Sequence, residues 1–313
     1  MRATCVNMVY ELAKKDERVV FIGSDLSPGM LAGMKKEFPD RYYMEGVTEA
    51  NVIGMAAGMA LEGFIPYVNT IATFITRRCY EQVAVDLCLH DLPVRLIGNG
   101  GGFVYAPLGP THEAIEDISI MRALPNMTVV VPADAEEMRR FMAITPDWPH
   151  PIYIRLAKGG DEVITKPEHG FVIGKAILLR EAAGGRHGPV LLIGTGVGTT
   201  QALHAAEMLA SDGIACHVLH LPTVKPLDGA MLEKFASTAK LVVTVEEHTV
   251  IGGLGSAVTD ALVERMDGHV PRMRRIGIPD VFAKDYGGQD WLMESFGIRA
   301  PQIADCVRKA LAC

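Results

Sequence analysis

The chain has 313 residues and a formal charge of -7 with a pI near 5.8, and no Lys/Arg-rich segment dominates it. That balance argues against nucleic acid and anionic membranes as partners and toward small-molecule chemistry. Apolar residues make up 49% and charged residues 21%, as in a globular protein rather than a disordered or fibrous one, and the length exceeds one hydrophobic core, so two domains are expected.

From the N-terminus, Met1-Arg2-Ala3-Thr4 runs into an amphipathic segment without an apolar leader core. No later stretch reaches the roughly 20 apolar residues of a membrane span, so a cytoplasmic location is the expectation. Short β-branched runs then alternate with Gly/Pro/Asp turns and longer Ala/Met/Glu-rich stretches, the pattern of α/β architecture with mainly parallel strands. In the first half, Val19 to Ile22, Ile65 to Val68, Val94 to Ile97, Thr128 to Val131 and Ile152 to Ile154 read as strands. Helices are expected over Glu49 to Glu62, Tyr80 to Leu89 and from about Ala135. Between roughly Gly159 and Gly188 the composition turns Gly-rich and charged, as linkers do. A second series follows, with strands at Val190 to Ile193, His217 to Leu219 and Leu241 to Val245. Its helices are expected at Thr199 to Ala210, Leu254 to Arg265 and about Pro301 to Leu311. The expected organisation is a first domain over 1-165, a linker over 166-188 and a second domain over 189-313, each a mainly parallel sheet flanked by helices. Six cysteines (Cys5, Cys79, Cys88, Cys216, Cys306, Cys313) show no CxxC spacing. They read as buried or incidental thiols in a reducing compartment, and no metal site is expected in this chain.

The most informative block runs from Glu45-Gly46-Val47-Thr48-Glu49 through Gly54, Ala57 and Gly58. By itself it is a turn entering a helix that Thr48 could cap, with Glu49 suited to the positive helix end and small residues that admit a close neighbour. An ordinary capped helix would have the same pattern. In order along the chain follow Thr70-Ile71-Ala72-Thr73-Phe74, Tyr80-Glu81-Gln82-Val83, Asp91-Leu92-Pro93-Val94, Gly109-Pro110-Thr111-His112, Pro132-Ala133-Asp134, Ile154-Arg155 and Glu246-Glu247-His248 to Gly255. Taken together, these segments resemble the pyrimidine-binding and C-terminal domains of transketolases and deoxyxylulose-phosphate synthases, over nearly the whole chain.

That resemblance implies a thiamine diphosphate enzyme, in which a glutamate is proton-coupled to N1' of the cofactor's aminopyrimidine. Glu49 matches it; burial disfavours an ionised carboxylate, which suits a group sharing a proton with a weakly basic ring nitrogen. Phe74 matches the residue that stacks on that ring, worth about 0.5 to 1.5 kcal/mol beyond burial, although a core aromatic would look the same. Tyr80 is expected as a second pocket wall, or else as the apolar face of its helix, and Asp25 falls on the cofactor side. His112, on a rigid turn, matches a histidine beside the reacting carbon, fit for hydrogen bonding or proton transfer near neutral pH. Arg155 matches an arginine that grips a sugar phosphate, with an interdomain salt bridge as its alternative. Arg77 stands where some members carry an aromatic and adds positive charge on the substrate side.

Other positions depart from the family pattern. Leu108 replaces the acid before Gly-Pro-Thr-His, Gly100 stands where many members have a histidine, and Gly29 where a phosphate-binding serine is frequent. These changes leave the cofactor-activating part intact and leave the substrate open, so that an ordinary pentose phosphate is not assumed. The Gly-Asp-Gly and Asn segment that holds diphosphate and a divalent metal is missing from this sequence. The resemblance therefore implies a C-terminal subunit of a split transketolase, moving a two-carbon ketol unit between sugars or sugar phosphates. A companion N-terminal subunit would hold the diphosphate and Mg2+, with self-association and an α2β2 assembly expected. The rivals are a deoxyxylulose-phosphate-synthase-like enzyme, the β subunit of a 2-oxoacid dehydrogenase, and a non-catalytic subunit that retains the fold. Gly194-Thr195-Gly196-Val197-Gly198 lacks the third glycine of a dinucleotide fingerprint and reads as a plain strand-to-helix turn.

Overall fold

The computed structural model describes residues 1–24, 26, 29–182 and 189–312. Its strands are β1 (Val19–Gly23), β2 (Tyr42–Met44), β3 (Ile65–Ile71), β4 (Arg95–Asn99), β5 (Thr128–Val130), β6 (Ile152–Leu156), β7 (Ile177–Arg180), β8 (Val190–Gly194), β9 (Cys216–His220), β10 (Thr223–Lys225), β11 (Leu241–Thr249) and β12 (Arg272–Ile278). They form two sheets, ordered β10-β5-β6-β4-β3-β1-β2 and β12-β11-β8-β9-β7. Apart from β10 and β7, which pair antiparallel, neighbouring strands run parallel. Every residue of β1, β4, β6 and β8 is buried, as strands covered by helices on both faces require, and that is why these segments read as unbroken apolar runs.

The helix Glu49–Leu61 buries Val52, Ile53, Ala56, Ala57 and Ala60, the i, i+3/i+4 stripe of one helical face. They share a core with Ile22, Val68 and Leu96 from the sheet. Registers such as Phe21↔Tyr67 and Ile71↔Asn99 align the carboxyl ends of β1, β3 and β4, the edge at which open parallel sheets receive ligands.

The structure refines three expectations. The helix expected over Tyr80 to Leu89 begins as an α-turn at Tyr80–Gln82 and continues as a wider π-helix over Val83–Cys88. The stretch 166-188 is not linker throughout: Ile177–Arg180 forms the edge strand of the second sheet, with Ile177 opposite His220 and Leu178 opposite Leu219, while 183–188 lie outside the described residues. The boundary is also bridged from the other side, because β10 completes the first sheet by pairing Thr223 with Val130. His220 and Glu137 add a fully buried contact of 2.9 Å between the domains. Among the described residues no helix is long and apolar enough to cross a membrane.

Candidate active site

Glu49 opens the helix Glu49–Leu61 and is 4% exposed. Thr48 occupies the cap position, but its hydroxyl turns back to the Glu45 carbonyl at 3.0 Å, so no side chain caps this helix end. The carboxylate instead accepts a 2.8 Å hydrogen bond from Arg78 Nη1, and the Arg78 guanidinium lies 3.9 Å from the centre of the Phe74 ring. Phe74 sits on the short helix Ala72–Thr76 that continues from the carboxyl end of β3. Its ring meets His112 edge-on, with centroids 5.2 Å apart. Glu49, Phe74 and His112, three residues distant in sequence, are thus linked in one row with Arg78 between the first two.

The loop that carries His112 is held from several directions. Gly109 has φ +82° and lies so close under Tyr286 of the second domain that a Cβ there would meet its ring at 2.6 Å. Thr111 Oγ1 lies 2.9 Å from His112 Nδ1. Arg77 reaches across to the same loop: its Nε is 2.6 Å from Glu116 Oε1, and its Nη2 donates to the Glu113 carbonyl at 3.1 Å. Expected on the substrate side, Arg77 is instead engaged in holding the His112 loop. Tyr80, expected as a pocket wall, donates its hydroxyl to the Ile120 carbonyl at 2.9 Å and packs against the buried core. Asp25 lies outside the described residues.

Arg155 is the clearest departure from the substrate-binding expectation. It is 5% exposed, and its guanidinium donates to Asp117 Oδ2 at 2.8 Å and to the carbonyls of Ala114 and Glu247 at 2.9 Å. Tyr153 also donates to Asp117 Oδ2, at 2.6 Å. Glu247 in turn accepts from the Phe103 N–H at 2.9 Å and from Gln289 at 3.0 and 3.1 Å. Burial raises the Glu247 carboxyl to about 7, with Arg155 acting to lower it. Arg155 is thus the centre of an interdomain clasp, and an anionic substrate cannot reach it without breaking that clasp. The glycines at Gly101 and Gly102 serve the same packing. A Cβ at Gly101 would fall 2.6 Å from Arg155, and one at Gly102, where φ is +64°, 2.4 Å from the Glu247 carboxyl.

Several groups at this edge were not singled out from the sequence. Arg78 follows Phe74 by four residues, a spacing that brings side chains together on a helix, and this was the available signal. Glu113 gave none. It is 1% exposed, its carboxyl oxygens have no hydrogen-bond partner among the described residues, and burial raises it to about 7 despite the neighbouring Arg77. Thr70 and Thr73 hydroxyls and Asn99 Oδ1 are likewise buried without partners among the described residues. Elsewhere, Gly194 and Gly198 would place a Cβ 2.5 Å from Thr199 and 2.6 Å from the Val245 carbonyl, so those glycines serve close helix–strand packing. Among the described residues no cluster of three or more His, Cys, Asp or Glu could hold a metal ion.

The geometry suits a flat, donor-bearing ring. Glu49 offers a buried acceptor, Phe74 a face, and the space between them already holds a planar cation. The transketolase pyrimidine-binding domain matches residues 1–160 and the transketolase C-terminal domain residues 182–303. The chain is 38% identical over 304 residues to a 6-deoxy-6-sulfo-D-fructose transketolase subunit of Clostridium sp. (strain MSTE9), covering 97% of this chain and 92% of that one. It is 34% identical to one of the subunits of an apulose-4-phosphate transketolase of Phocaeicola vulgatus, over 89% of this chain and 87% of the relative. Among solved structures, a split gene transketolase described as an inactive beta4 tetramer superimposes with a TM-score of 0.89 at 34% identity, over 99% and 98% of the two chains.

Proposed function

Because this chain belongs to the transketolase family, with a pyrimidine-binding and a C-terminal domain, we propose that it is the cofactor-activating subunit of a split, thiamine diphosphate-dependent transketolase. It transfers a two-carbon ketol unit from a ketose or ketose phosphate to an aldose. The observation that carries this reading is the buried Glu49 carboxylate joined through Arg78 to the ring of Phe74, which His112 in turn meets edge-on.

In this arrangement Glu49 would hold N1' of the aminopyrimidine and share its proton, and Phe74 would fix the ring's angle by stacking. When bound, the cofactor supplies a nucleophilic carbon that accepts and hands on the two-carbon fragment. His112, half-buried at the mouth, is placed to donate or accept a hydrogen bond at the sugar oxygens. Arg77 is a positioning residue, since it ties the Glu113 carbonyl of the His112 loop to the helix that bears Phe74.

The diphosphate and its divalent metal belong in this reading to a companion N-terminal chain in an α2β2 assembly, with the catalytic centre at the interface between the two. The two relatives named as subunits of sugar transketolases support a companion and a sugar substrate. Leu108, exposed beside the His112 turn, favours an acceptor whose contact there is less polar than in enzymes carrying an acid at that point. The test is Glu49→Gln in the reconstituted complex. Cofactor binding should weaken but remain measurable, whereas exchange of the cofactor's C2 proton should fall by orders of magnitude. Wild-type exchange would remove Glu49 from this role. Decarboxylation of a 2-oxo acid, without ketose cleavage, would replace the transketolase reading itself.

A further inference from the structure

Glu49 poses an electrostatic problem whenever its site holds no ring. A carboxylate 4% exposed cannot rely on water, and an unpaired buried charge is costly. The one ion pair made by that carboxylate among the described residues is with Arg78, and the two partners differ in exposure: the Arg78 side chain is 44% exposed. Arg78 also lies over the Phe74 ring, its Cζ 3.9 Å from the ring centre. Its guanidinium therefore occupies both positions assigned above to the aminopyrimidine, donating an N–H to Glu49 and lying over the ring of Phe74. A guanidinium is suited to this, being planar, permanently charged, and able to donate along its edge while stacking through its face.

We propose that Arg78 is an internal stand-in for the aminopyrimidine, a latch that neutralises Glu49 and covers Phe74 until the cofactor displaces it. The inference rests on the assignment of Glu49 and Phe74 to the cofactor. The guanidinium and the ring compete for the same oxygen and the same aromatic face, so each binding event includes release of Arg78 toward solvent. In a split enzyme this has a use. The half-site on this chain stays charge-balanced and closed to stray cations until a cofactor anchored by the companion chain arrives to compete.

The latch predicts that removing Arg78 tightens binding. Thiamine diphosphate with Mg2+ is titrated calorimetrically into the reconstituted complex carrying wild-type chain, Arg78→Ala, Arg78→Lys, Glu49→Gln or the Glu49→Gln/Arg78→Ala double variant. Arg78→Ala should lower Kd about tenfold, equivalent to about 1.4 kcal/mol. Arg78→Lys, which keeps the charge and loses the plane, should fall between it and wild type. In Arg78→Ala, guanidinium chloride should raise Kd back toward wild type while sodium chloride at equal ionic strength does not. In the Glu49→Gln background the Arg78 substitution should change Kd less than about twofold, the coupling expected of residues in direct contact. An unchanged or higher Kd for Arg78→Ala overturns the latch. If Glu49→Gln leaves both binding and C2 proton exchange at wild-type levels, the cofactor assignment fails instead.

Discussion

Replacing Arg155 by methionine separates a clasp from a substrate clamp. Methionine keeps much of the side chain's apolar length and loses the charge and every donor. Three hydrogen bonds disappear, to Asp117 Oδ2 and to the carbonyls of Ala114 and Glu247. Asp117, fully buried, retains the Tyr153 hydroxyl and loses its cation. Removing one member of a buried pair costs about 3 to 5 kcal/mol, because the remaining charge is stranded. With two carbonyls also deprived of a charged donor, a loss of about 4 kcal/mol is expected, a large part of a domain's net stability. Urea unfolding of the chain followed by circular dichroism reads this directly. The Asp117→Asn/Arg155→Met double variant should recover about 2 kcal/mol relative to the sum of the single changes, as contacting residues do in a mutant cycle. Should Arg155→Met unfold within about 1 kcal/mol of wild type while KM for an anionic sugar rises, the clasp is refuted and the substrate role restored.

Two further outcomes follow from buried groups near the site. Burial raises Glu113 from 4.5 to about 7, so the folded chain holds this proton more tightly than the unfolded one. Stability is therefore lost as pH rises through that window and is level above it. Glu113→Gln should leave stability unchanged near pH 4 and raise it by up to about 3 kcal/mol near pH 8; equal melting shifts at both pH values would contradict the assignment. Gly102→Ala places a methyl 2.4 Å from a Glu247 carboxyl that Phe103 and Gln289 hold in place, at a backbone angle of φ +64°. It should cost about 2 kcal/mol in thermal unfolding, and a neutral result would mean that Glu247 moves freely.

Much of the scaffold was legible along the chain, because the strands buried on both faces announce themselves as continuous apolar runs. Ile177–Arg180 escaped notice since an edge strand among glycines and charges is too short to impose a period. The family segments place Glu49, Phe74 and His112 on the chain by local order and spacing, and the structure gathers those three side chains at one sheet edge. What the segments could not convey was how each arginine is used. Arg77, Arg78 and Arg155 are one residue type with the same donors, and their partners Glu116, Glu49 and Asp117 stand 39, 29 and 38 positions away. Local sequence determines the backbone path and which faces are apolar, since both follow from the spacing of neighbours. The destination of a long charged side chain depends on which carboxylate the folded backbone leaves without water, and only the tertiary structure decides that.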